Sequence, residues 1–553
     1  MKSTTEIKEK LFTIIILLFS VLFTSGTLLA EELNLTNSSL NEPPVTINFL
    51  QPGAVYHKNE PAQSNIRLNL PNLHKVDVEI VDIDDKRVVK SKTFNRQNSD
   101  FVFTYPFILK ELGYFYIKVS YEDPSDNKIK HFKQGFGVIP QIALTEKDWD
   151  SPFGVCGHYQ RYNDWRIGDI QNKLGIAWVR DEAEWQRIIS GDFESDPYID
   201  YLDSKNICWL ALIDYVDSYN GVQNADSIWR WDEDVAMIKE YVEMHKGKLP
   251  VYESQNEPNN FGGWSKRWPH PQGEEWKPQG WGKPFADLIM QMQDAISDVD
   301  QSIKVIWQAD HEWVDYFVKE KDAASYIDIT SLHPYVNWDI IPESDNLAAG
   351  GYVGYKKNLE KLNVSQEVWV TELGWSTFIS DGNPHHYQPV TEIEQAAYLV
   401  RSYLMHLYHG ASKVFWYEMV DEPLGENDPE SFFGLVRYNK SLSVKPSAVA
   451  YSNLINNYRY AVPIGKYNGS YGVLGFSYKQ KNGKPQLNMW RKRDSSSEVL
   501  KLDRTKQIEV IDIFGRSQKV KVKKGEVKIQ VGISPVTIVG IHESDFESLY
   551  TPM

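Results

Sequence analysis

The stretch Val251-Tyr252-Glu253-Ser254-Gln255-Asn256-Glu257-Pro258-Asn259 opens as a short apolar run and closes on a polar Pro-Asn corner. Val251–Asn256 has the length and composition of a buried strand. Downstream, Phe285, Leu288, Ile289, Met292 and Ile296 recur at helical spacing, and the next strand-like run is Val305–Asp310. Strand, amphipathic helix, strand is the unit of a parallel sheet. Working outward, the same alternation adds the strand candidates Phe153–Tyr159, Ala177–Asp181, Cys208–Tyr215, Ile327–His333, Val368–Glu372 and Val414–Met419. A second clear helix carries Ile393, Ala397, Val400, Leu404 and Leu407, and Gly410 follows as a C-terminal stop. Eight strands alternating with helices over about 300 residues predict an α/β fold of the (β/α)8 barrel type. An open doubly wound sheet would want a glycine-rich phosphate loop after its first strand, which Gly154 and Gly157 do not supply.

The flanks read differently. Residues 40–142 show alternating runs such as Lys75–Val81 and Tyr114–Tyr121 broken by Pro, Gly, Asn and Asp, which predicts an N-terminal, immunoglobulin-like β-sandwich. The barrel is expected over 150–457. From 460 to 547 strand patterns return at Gly472–Tyr478, Gln486–Trp490, Ile508–Ile513 and Val536–Ile541, predicting a C-terminal β-sandwich. A chain of 553 residues, 42% hydrophobic and 13% aromatic, excludes a disordered protein and accommodates this three-part division. Its net charge of −16 argues against nucleic acid or an anionic membrane surface as the main partner.

Lys2, Lys8 and Lys10 precede the apolar run Leu11–Phe23, and a small-residue cleavage site follows at Ala30. That pattern predicts a signal peptide over residues 1–30, a secreted or periplasmic protein, and no integral membrane segment after its removal. Cys156 and Cys208 both sit in apolar strand-like runs and are expected as buried thiols rather than a disulfide.

In a (β/α)8 barrel the working residues lie at the C-terminal ends of the strands. Those ends carry His158, Arg180 with Asp181, Asp214, Asn256 with Glu257, Asp310, His333 with Tyr335, Glu372, and Trp416 with Glu418. Two glutamates stand out by their company: Asn256-Glu257-Pro258 on the fourth strand and Thr371-Glu372-Leu373-Gly374-Trp375 on the seventh. These motifs, on those strands, resemble the clan A (4/7 superfamily) retaining glycoside hydrolases, most closely glycoside hydrolase family 39 and neighbours such as family 5. The resemblance spans residues 150–460 in layout. Independently of it, breaking a glycosidic bond passes through an oxocarbenium-like transition state, which asks for an acid on one side and an anion on the other.

The resemblance implies that Glu257 is the acid/base and Glu372 the nucleophile of a double displacement, with carboxylates about 5–5.5 Å apart and net retention. It further implies that Asn256 hydrogen-bonds the sugar 2-hydroxyl, that Arg180 faces the nucleophile, and that His333 and Tyr335 stand near it, the tyrosine donating to Glu372. Trp416 would form an apolar floor under the sugar. Glu253, four residues before Glu257, is expected on the same inward face, lower in the barrel. Seventeen of the 18 tryptophans fall between Trp149 and Trp416, which concentrates sugar-stacking surface in the barrel. Trp264, Trp268, Trp276 and Trp281 crowd one polar stretch expected over the cleft, and Trp375 is a further substrate-binding candidate. Gln255 stands where family members often have a tryptophan, a departure that touches subsite contacts and not the carboxylate chemistry. Asp214, Asp310, Glu418, Asp421 and Glu422 are candidates for outer sugars.

The reading calls for an oligo- or polysaccharide substrate, no metal and no organic cofactor. A xylosidase or glucosidase is the first expectation and an endo-acting polysaccharide hydrolase the second. Two other classes are distinguishable. A metal-dependent hydrolase would gather His158, Asp310, His311 and His333, although such sites usually place two histidines on the first strand. A catalytically inactive carbohydrate-binding protein would be expected to lack one of Glu257 and Glu372, and both are present.

Overall fold

The computed structural model describes residues 44–553 apart from 71–72, 96–100, 163, 184–196, 214–230, 259–276, 309–310, 322, 337–340, 345–350, 379–389 and 426, and without the side chains of 231–234, 311–312 and 320–321. At its centre eight parallel strands close into a barrel. They are β1 (Phe153–Cys156), β2 (Trp178–Glu182), β3 (Cys208–Ile213), β4 (Val251–Ser254), β5 (Lys304–Gln308), β6 (Ile329–Leu332), β7 (Glu367–Leu373) and β8 (Lys413–Trp416). Closure is made by β8 against β1, with Val414 opposite Phe153 and Trp416 opposite Val155. The strands are buried along most of their length because helices cover the outer face and side chains fill the interior, which is why they read as apolar runs instead of alternating ones.

The helices follow the periodicity. Gly282–Val299 buries Phe285, Leu288, Ile289, Met292 and Ile296. Glu392–Tyr408 starts at a capping box, in which the Thr391 hydroxyl accepts from the Glu394 amide while the Glu394 carboxylate accepts from the Thr391 amide. On that helix Ile393 is exposed and lies outside the buried stripe. The first predicted strand is shorter than its apolar run: β1 stops at Cys156 and Tyr159 opens a helical turn, so His158 lies in the connection above the barrel.

Sheets built mainly of antiparallel pairs occupy both flanks, with Val55–His57 and Ile129–Ile139 pairing parallel. Lys75–Asp82 and Gly113–Glu122 pair within a five-stranded sheet, and Pro61–Leu68 pairs with Phe101–Ile108 in another. On the C-terminal side, Val473–Lys479, Pro485–Arg491, Gln507–Ile511 and Val536–Val539 belong to a seven-stranded sheet accompanied by a two-stranded one. That sheet extends past position 547: Tyr550–Pro552 pairs with Val462–Tyr467. A three-residue strand ending in proline carries no alternation to read, so the sequence boundary fell short. Cys156 and Cys208 are free and buried. No described helix is long and apolar enough to cross a membrane, and the run Leu11–Phe23 lies outside the described residues.

Candidate active site

Inside the barrel one polar layer comes from alternate strands. Arg180 on β2 donates through Nε to Glu253 on β4, and Ser331 on β6 donates to the other Glu253 oxygen at 3.2 Å. Glu253 is fully buried, so the adjacent guanidinium and hydroxyl are what make its burial tolerable. This fixed carboxylate in turn fixes Arg180, whose remaining nitrogens reach upward. Nη1 donates to Glu372 at 3.1 Å and Nη2 to the Asn256 side-chain carbonyl at 2.9 Å. One arginine thus ties the ends of β4 and β7 together.

Glu257 reaches the site by a route that strand parity does not describe. β4 ends at Ser254, and Gln255 and Glu257 then take left-handed conformations, with φ of 59° and 37°. For residues with a side chain that conformation costs about 1–2 kcal/mol each. Two hydrogen bonds hold it: the Gln255 amide donates to Ile213 O at 3.0 Å, and the Glu257 amide donates to Gln308 Oε1 on β5 at 2.6 Å. Glu372 is aimed by a different device. Between Val370 and Leu373 the pairing of β7 with β8 slips, so Thr371 and Glu372 occupy an irregularity of the kind that redirects a side chain at a barrel rim.

The resulting cluster is compact. His333 Nδ1 lies 2.7 Å from Glu257 Oε1 and 3.8 Å from Glu372 Oε2, and its Nε2 is 3.1 Å from the Thr371 hydroxyl. Tyr335 donates to Glu372 Oε1 at 2.8 Å. One nitrogen of His333 and one oxygen from each of Glu257 and Glu372 all lie within 4.8 Å of one another. Burial works against a charged imidazole at His333, but Glu372 and Glu257 beside it outweigh that and raise its pKa. Burial, reinforced by Glu372, drives the Tyr335 phenol well above its ordinary value, so it stays a donor.

The structure therefore brings together Arg180, Asn256, Glu257, His333, Tyr335 and Glu372. His333 differs in detail from the expectation, since its short contact is to Glu257 and not to Glu372. The tryptophans depart further. Trp416 has no exposed surface and packs on Trp375, itself buried, with ring centroids 5.8 Å apart, so this pair is core and offers no floor to a sugar. The next residue, Tyr417, is only partly buried, and its phenol is close enough to Glu372 to be raised by that charge after burial and Glu418. Tyr417, which follows β8, has its ring centroid 6.5 Å from that of His158. Trp281 is also core, packed edge-on against Trp313 and Phe285, because it abuts the start of the helix and not the middle of the loop. Trp264, Trp268, Trp276, Asp214 and Asp310 lie outside the described residues. Of the metal-hydrolase candidates, His158 stands with Asp181, Glu182, Glu418 and Glu422 and His333 with Glu257 and Glu372, while Asp310 and the side chain of His311 lie outside the described residues.

A closed parallel barrel, carboxylates from β4 and β7 at its C-terminal mouth, and mainly antiparallel sheets on both flanks define the architecture. No protein-family model matches the chain, and no curated protein matches it by sequence. Among solved structures it shares its fold with a family 39 glycoside hydrolase from the gut symbiont Bacteroides cellulosilyticus WH2, with a TM-score of 0.70 at 19% identity over 90% of this chain and 100% of that one. An α-L-arabinofuranosidase from Thermotoga maritima aligns at a TM-score of 0.47 and 11% identity, over 71% of this chain and 92% of that one.

Proposed function

We propose that this protein is an exported retaining β-glycosidase acting on an oligo- or polysaccharide, with Glu257 as acid/base and Glu372 as nucleophile. The observation that carries the reading is the approach of the two carboxylates, with an oxygen of each within 4.8 Å. Retaining enzymes hold their carboxyl groups about 5–5.5 Å apart, whereas inverting enzymes need about 6.5–9.5 Å to admit a water.

In the first step a Glu372 oxygen attacks the anomeric carbon as the bond to the leaving oxygen breaks, and Glu257 gives that oxygen its proton. An ester to Glu372 and a free alcohol result. In the second, Glu257 takes a proton from water as the water oxygen attacks the same carbon and the ester breaks, which restores both side chains. Arg180 and Tyr335 hold one oxygen each of Glu372, so they orient the attack and stabilise the carboxylate when it departs. With the Asn256 carbonyl engaged by Arg180, its amide nitrogen is the group that donates to a sugar hydroxyl.

Exo-cleavage of a β-xyloside or β-glucoside is the first specificity proposed, and endo-cleavage of a polysaccharide the second. The test is hydrolysis of a panel of aryl β-glycosides and polysaccharides by wild type, Glu372→Gln and Glu257→Gln. Turnover by wild type that collapses in Glu372→Gln supports the proposal. Glycan binding by all three proteins without turnover replaces it with the inactive binding protein.

A further inference from the structure

A second cluster of chemistry lies at the barrel mouth, outside the proposed catalytic pair. His158 follows β1, and Glu418 and Glu422 follow β8. One nitrogen of His158 and one oxygen of each glutamate lie within 4.8 Å of one another. Two further observations point to a ligand between them. First, Glu418 is 1% exposed, yet its Oε1 is buried with no hydrogen-bond partner, and the hydroxyl of Tyr162 is orphaned in the same way. A buried carboxylate oxygen left unpaired is costly, so such groups normally coordinate a cation or meet a donor. Second, His158 is held in one orientation: its Nδ1 sits 3.1 Å from Glu182 Oε2, and its Nε2 points at Glu422 Oε1, 3.5 Å away. With the ring proton on Nδ1 donated to Glu182, Nε2 presents a lone pair to the Glu422 carboxylate. This carboxylate–histidine pairing is the outer-sphere arrangement that orients metal-binding imidazoles.

The neighbours do not already supply the missing charge. Asp181 is satisfied by the Tyr159 and Glu182 amides and the Tyr198 hydroxyl. Asp421 is paired with Lys445 at 2.7 Å. Among the described residues, Arg161 stands 2.6 Å from Glu182 and 3.7 Å from Glu422, while Lys445, already paired with Asp421, acts on Glu418 only from a distance, so Glu418 has no ion pair of its own.

We propose that His158 Nε2, Glu418 and Glu422 form a binding site for a divalent transition-type cation such as Mn²⁺ or Zn²⁺. One imidazole and two carboxylates suit those ions better than Ca²⁺, which takes oxygen ligands alone. Ligand distances of about 2.0–2.2 Å are reached by small rotations that draw the three groups together. The site is distinct from Glu257, His333 and Glu372.

The test is titration of chelator-treated full-length protein with Mn²⁺ and, separately, Zn²⁺, followed by calorimetry and, for Mn²⁺, by the loss of the free-ion paramagnetic resonance signal. Wild type is expected to bind one equivalent at this site. His158→Gln and Glu418→Gln should each weaken it by about 100-fold or more, Glu182→Gln by about 10–100-fold through the imidazole, and Glu372→Gln should leave it intact. If Glu418→Gln does not fold, Glu422→Gln, whose side chain reaches solvent, makes the same test. The proposal is overturned if wild type binds neither ion saturably, if His158→Gln binds as wild type does, or if binding is lost in Glu372→Gln and kept in His158→Gln.

Discussion

Tyr335→Phe removes one atom that the proposed mechanism uses twice. In the resting enzyme the phenol donates to Glu372 Oε1 at 2.8 Å while Arg180 holds Oε2 at 3.1 Å. During glycosylation the carboxylate charge is consumed, so losing a donor weakens orientation but removes little transition-state stabilisation. During deglycosylation Glu372 is the leaving group and its charge is regenerated, so the missing donor is felt in full. A hydrogen bond to a charged group is worth about 1.5–3 kcal/mol, which corresponds to a fall of about 10- to 150-fold in the deglycosylation rate. The ring stays in place, so the fold should tolerate the change. With an activated aryl β-glycoside, stopped-flow absorbance should show a burst of aryl alcohol near one equivalent, followed by a steady state slowed by that factor. A variant with kcat within about threefold of wild type and no burst would refute the assignment of Tyr335 to the leaving carboxylate.

Other consequences are separable. Glu257→Ala should cut hydrolysis of substrates with basic leaving groups by about 10²- to 10⁴-fold, spare dinitrophenyl glycosides in the first step, and be partly rescued by azide, as read from kcat/KM across leaving groups. Arg401 and Glu343 form a fully buried ion pair that also receives the Trp490 indole, so Arg401→Met strands a buried charge. It should destabilise the protein by about 3–5 kcal/mol in urea unfolding. Burial lowers the pKa of His406 to about 4 from an ordinary 6.5, so unfolding takes up a proton between those values. Stability should therefore rise by about 3 kcal/mol from pH 4 to 6.5 and be fully present above it, with the slope reduced in His406→Gln.

The barrel was legible because its strands are buried on both faces and its helices on one, which writes two different periods into the chain. Glu257 and Glu372 were legible as motifs, but the means by which they converge was not. Parity carries no information past Ser254, where Gln255 and Glu257 turn left-handed, and the slip at Thr371–Glu372 depends on β8. The same limit explains Trp416: an apolar run shows that a strand is buried, not which of its last residues faces the mouth. Arg180 was found as a partner of the nucleophile, and its anchoring by Glu253 and Ser331 emerged only with the layer built from β2, β4 and β6. The cluster of His158, Glu182, Glu418 and Glu422 joins the last residue of β2 to residues that follow β1 and β8, and no spacing in the chain announces it.

The central claim is a covalent double displacement between Glu257 and Glu372. The most direct measurement is proton NMR of the anomeric configuration of the first sugar released from a β-glycoside the enzyme cleaves, recorded before mutarotation. The account predicts the β-anomer first; first formation of the α-anomer would contradict it.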